Sequence, residues 1–137
     1  MALTGDLGGT SASPLVGGVH VALANDSGTG TTVNKLAKVI STGAIVSGTG
    51  DTSGAVGIVT AGAGTTGSAT IATQGIATCQ FDATAVTEGD WVQISSTIGG
   101  DCHDAGATKP ASGEIIGHAV TSGAASTTQS VLVEVSW

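Results

Sequence analysis

The chain has 137 residues, 23 of them glycine, and glycine with alanine, serine and threonine makes up more than half of it. Only 9% of its residues are charged and its formal net charge is −7, with three lysines (Lys35, Lys38, Lys109) and no arginine. A nucleic-acid partner is excluded, because phosphate binding needs a cationic footprint, and so is attraction to an anionic membrane surface.

The length suits one domain. No apolar run approaches the roughly 18 residues of a membrane-spanning helix, and the first residues lack a basic region, so neither a span nor a signal peptide is expected. Large aliphatic side chains are scarce. A chain so poor in bulky groups is expected to gain apolar contact by associating with copies of itself.

Residues 1–17 are rich in glycine and serine, contain Pro14, and carry few large side chains, among them Leu3, Leu7, Leu15 and Val16. They read as an extended arm that orders against a partner. Residues 18–137 read as a single β domain, with a polar loop at 25–32. Short apolar runs at 19–23, 36–40, 55–59, 69–72, 76–81, 91–94, 114–120 and 131–135 are rich in β-branched types and bounded by turn formers, which is the strand signature. In the last, Val131, Val133, Val135 and Trp137 alternate with Leu132, Glu134 and Ser136, a period of two. No glycine-free stretch has helical periodicity, although 83–88 leaves room for one helical turn. The fold expected is therefore all-β: a small β-sandwich, jelly roll or β-barrel.

Four motifs bear on chemistry. Residues 62–67 match G-x-G-x-x-G, but a dinucleotide site needs a helix to open there, and a strand follows instead, so a hairpin loop is expected. Cys79 and Cys102 are the only cysteines; they either close a disulfide loop or act as small buried hydrophobes. Asp101, Cys102, His103 and Asp104 form the densest group of potential ligands. They read as a polar loop tip near Gly99 and Gly100, with a ring of His103 or Asp104 about a three-fold axis as the sharper alternative. His20 and His118 lie in strand-like runs, packed or at an interface. Nucleophile, base and orienting group do not gather in sequence, so no enzyme, cofactor or resident metal is expected.

The succession 54–59 (GAVGIV), 67–71 (GSATI), 75–77 (GIA), 89–92 (GDWV) and 115–120 (IIGHAV) resembles the small head decoration, or cement, proteins of lambda-like tailed bacteriophages over residues 36–135. That resemblance implies a β domain with an N-terminal arm, forming homotrimers on the outer surface of a capsid. Its partners would be copies of itself and the major capsid protein, and it would be assembled in the host cytoplasm. Residues 3–14 (LTGDLGGTSASP) are similar to segments of phage tail-fibre proteins, which implies instead a trimeric host-adhesion module. On either reading Leu3, Leu7, Leu15, Val16, Val19, Val21, Leu23, Val131, Val133, Val135 and Trp137 are the candidate contact residues.

Overall fold

The apolar runs become strands. A computed structural model describes residues 18–135, in which they form β1 (Val19–Ala24), β2 (Leu36–Ile40), β4 (Ala55–Ala61), β5 (Ser68–Gln80), β6 (Trp91–Ile94), β8 (Ile115–Ala119) and β9 (Thr128–Glu134). Two short strands not singled out in the sequence, β3 (Gly43–Val46) and β7 (Cys102–Gly106), complete the set, and no helix occurs among the described residues. The runs at 69–72 and 76–81 belong to one strand, because Gly75 pairs with Val133 without interrupting the ladder. The helical turn expected over 83–88 is absent. There the Asp82 carboxylate accepts from the Thr84 amide at 3.0 Å, a local turn that competes with helix. The glycines of 62–67 turn the chain between antiparallel β4 and β5, with Gly62 and Gly67 at φ 69° and 66°.

Where the sequence left sandwich, jelly roll and barrel open, all nine strands join one sheet, curled like a half-barrel. Its ladders are antiparallel, in the order β3-β2-β4-β5-β9-β8-β6-β7, with β1 also on β5. Followed from its two ends, the order is one motif twice: a hairpin (β2–β3, β6–β7), a strand beside the first of that hairpin (β4, β8), and its antiparallel successor (β5, β9). The registers agree residue by residue. Leu36 faces Ile58 as Trp91 faces His118. Ala37 faces Gly57 and Lys38 faces Ala55, skipping Val56; Val92 faces Gly117 and Gln93 faces Ile115, skipping Ile116.

The remaining strand obeys the same rule. β1 pairs with the first half of β5 just as the second half of β5 pairs with β9. Loop contacts recur as well: Thr31 bridges Gly64 as Val86 bridges Gly123, and the amides of Asp26 and Asp82 donate to the carbonyls of Ala44 and Cys102. Residues 19–74 and 74–135 are thus two copies of one five-stranded unit. The 13-residue β5 ends the first and begins the second. In each copy a single parallel bridge spans the seam, Asn25 to Ala44 and Phe81 to Cys102.

The inner face of the first copy buries Ala37, Ala44, Val59, Ala69 and Ile71. At equivalent positions the second copy buries Val92, Cys102, Ala119 and Val131, in a larger cluster with Phe81 and Ile116. Strand alternation puts Leu36, Ile58 and Ala72 on the outer face of the first copy. Each is nevertheless 0% exposed, because they belong to the same buried cluster as Phe81, Val92 and Val135 of the second. The joint is also polar: the Leu36 amide donates to the Gly100 carbonyl at 2.7 Å, the Gln80 amide to Asn34 at 2.7 Å, and the Ala55 amide to Glu114 Oε1 at 2.7 Å. Burying Leu36 and Ile58 there contributes about 1.5–3 kcal/mol each.

Candidate functional site: an open row on the second copy

On the second copy, the outer positions equivalent to Leu36, Ile58 and Ala72 are Trp91, His118 and Leu132. They are covered only in part. Trp91 and His118 are half-buried and Leu132 is 39% exposed. The register continues the row to Ile76, which faces Leu132 and is 53% exposed. Ile76, Leu132, His118 and Trp91 therefore stand directly opposite one another across β5, β9, β8 and β6, spanning about 14 Å at the usual strand spacing. Neighbouring outward positions along β5 and β9 are polar: Gln74, Thr78, Ser130 and Glu134.

Aromatic contact orders one end of the row. The Trp91 and His118 rings lie 4.1 Å apart at a 46° tilt, and Lys109 Nζ sits 5.7 Å from the Trp91 ring centre, a weak cation–π contact. Glu134 Oε2 is 3.4 Å from His118 Nδ1. Beside Trp91, burial pushes the Asp90 carboxyl up, and the Asp104 carboxylate next to it adds to the effect.

The other polar groups serve the seams. Cys79 and Cys102 form a disulfide that joins β5 to β7 beside the Phe81–Cys102 bridge. Their equivalents in the first copy are Leu23 and Ala44, which belong to the hydrophobic cluster of that copy. Burial alone would raise the Asp82 carboxyl, yet bonds from Thr84, Ser95 and His103 more than offset it and hold it below its usual range. Ser95 donates to Asp82 at 2.7 Å and His103 Nδ1 lies 2.8 Å from it. Asp26, its counterpart, is likewise held low by the Thr29 amide and the Thr42 hydroxyl. Lys35 pairs with the buried Asp101 across the joint between the copies.

The polar loop tip expected at Asp101–Asp104 is not one. Cys102, His103 and Asp104 open strand β7, and Asp101 is buried. Among the described residues no three His, Cys, Asp or Glu side chains gather as a metal site. Of the candidate contact residues, Val131, Val133 and Val135 are corrected to core: at 0%, 1% and 8% exposure their surface is already spent inside the second copy. Alternation puts Leu132, not the valines, outside. Val21 and Leu23 pack against the core of the first copy, whereas Val19 is 48% exposed and His20 is exposed. Leu3, Leu7, Leu15, Val16, Trp137 and the arm 1–17 lie outside the described residues.

Sequence reasoning missed Ile76, His118 and Trp91 as one surface. The signal was present, since the motifs at 55–59 and 115–119 both place a glycine after a β-branched residue in a strand. No protein-family model matches the chain, and no curated protein matches it.

Proposed function

We infer that the chain is a structural protein of a virus particle: a decoration protein that binds the outside of a tailed-phage head as a homotrimer and stabilises the shell. The observation that carries this reading is the open row. It gives a contact surface on a small all-β unit whose buried carboxylates, Asp26, Asp82 and Asp101, are bonded to the unit's own groups. A protein of this kind works through added contact area between subunits, multiplied by many copies on one lattice. The chain's −7 charge suits an outer surface that must not hold released nucleic acid. The motif succession of 54–120 supports the same reading.

The test is to add purified protein to capsids that lack a decoration layer and, in parallel, to host cells and glycan surfaces. Saturable binding to capsids with raised thermal resistance of the shell is expected. Binding to cells or glycans alone would move the chain to the adhesion class.

A further inference from the structure

We propose that the open row of the second copy is the docking face for the first copy of a neighbouring, identical chain, so that chains join head to tail into a closed ring.

The internal duplication carries the inference. Within one chain, the outer row of the first copy (Leu36, Ile58, Ala72) is fully covered, and what covers it is the second copy. The same three positions of the second copy (Trp91, His118, Leu132) have no successor copy within the described residues to cover them, and Ile76 extends this row as the exposed His20 extends that of the first copy. Two units of one fold present one face. One face has its partner in the chain, and the other leaves Leu132 exposed and Trp91 and His118 only half-buried. A third unit of the same fold is the partner that the covered face already accepts, and a second chain supplies it.

Charge points to the same occupant. A basic partner would be drawn to the carboxylates of a −7 chain, but the row itself holds none, and the nearest on its strand, Glu134, lies against His118. Lys109 over Trp91 counters the carboxylates of Asp90 and Asp104 beside it, and two acidic chains meet with less repulsion across a row whose own side chains include no carboxylate. The face offered in return is on the first copy, where Val39 and Ile40, at the end of β2, are 50% and 40% exposed. Because row and partner face differ, the contact is heterologous, and heterologous contacts close into rings when the rotation allows.

This deepens the trimeric reading above by naming its contact, but the test uses the isolated full-length chain and no capsid. Sedimentation velocity is run on the native chain, on Leu132→Asp and on Ile40→Asp, with circular dichroism and disulfide content confirming that each variant is folded. The native chain is expected to sediment as a multiple of its 13.0 kDa mass, and each variant as a monomer. An equimolar mixture of the two is expected to recover a dimer and nothing larger, since one intact row then meets one intact partner face. Ile76→Asp replaces Leu132→Asp if the latter does not fold. A native chain that stays monomeric at high micromolar concentration overturns the proposal, as does an oligomer untouched by either change. A mixture that yields no dimer also overturns it, since the row would then meet another surface. Capsid binding by a chain that proves monomeric would leave the decoration reading standing and remove this contact alone.

Discussion

Gly57 and Gly117 hold the same place in the two copies, and each stands where a side chain would strike the neighbouring strand. A Cβ on Gly57 would lie 2.1 Å from the Ala72 carbonyl oxygen, and one on Gly117 would lie 1.8 Å from that of Leu132. Both glycines sit at bulges, with φ of 155° and 158°, where β4 and β8 press close to β5 and β9. Bulges of this kind commonly carry glycine for close backbone approach.

Gly57→Ala and Gly117→Ala are therefore expected to cost about 1–3 kcal/mol each, the range for a strained backbone. Urea denaturation measures it. Gly48→Ala, which has no positive φ and whose new carbon would meet nothing closer than Asp51 Oδ2 at 3.4 Å, is the control and should cost clearly less. Equal losses at all three positions would mean that close approach is not the cause.

The Cys79–Cys102 bond closes a loop across a separation of 23 residues, worth roughly 3 kcal/mol in chain entropy. Cys79→Ala with Cys102→Ala is expected to lose about that much. Cys79→Leu with Cys102→Ala installs the pair that the first copy uses, Leu23 and Ala44, and should recover part of the loss by filling the space. Denaturation midpoints of the oxidised native chain and the two cysteine-free variants check the order.

Acid should loosen the fold at its loops. Asp26, Asp51 and Asp82 all titrate below the ordinary 3.8 in the folded chain. A carboxyl depressed by folding contributes stability that is complete above its unfolded value and disappears as pH falls toward its folded value. Stability should then hold near its plateau from neutrality down to about pH 4, apart from a small gain as Asp90, whose carboxyl is raised by folding, takes up its proton, and drop below it. Asp82→Asn should lower the plateau by about 1–3 kcal/mol, because buried donors lose their acceptor, and should make the acid limb shallower. Thermal melts between pH 2 and 7 give both quantities.

Equivalent positions should respond unequally. Ile58→Ala removes a side chain buried in the joint and is expected to cost about 2–5 kcal/mol. His118→Ala, at the same register on the open row, is expected to cost about 1 kcal/mol in dilute solution. Comparable costs for the two would mean that the row is already covered within the chain.

The strand content was legible because β-branched runs and turn formers alternate so regularly, and residues 131–135 reveal their inward face by period alone. The same alternation misled the choice of contact residues. Val131, Val133 and Val135 look like a sticky stripe until the curl of the sheet turns that stripe inward, and nothing local states which side of a strand a sheet will close upon. β3 and β7 went unread because Gly43 and Gly106 bound them, and because Asp101, His103 and Asp104 look like loop. The duplication stayed hidden because its shared requirement is geometric. Leu23 and Ala44 become a disulfide, Leu36 becomes Trp91, and Asn34 with φ 65° becomes Gly89 with φ 91°; Asp26 with Asp82 and Gly57 with Gly117 are among the few identities that survive.

Strand β5 is a party wall. Its first half completes one half-barrel and its second half founds the next, so neither can come apart without stripping a strand from its neighbour. Local melting of one copy is therefore tied to loss of both. The amides of 69–72, held between β1 and β4, should be the last to exchange with deuterium, and at a rate set by dismantling of the whole molecule.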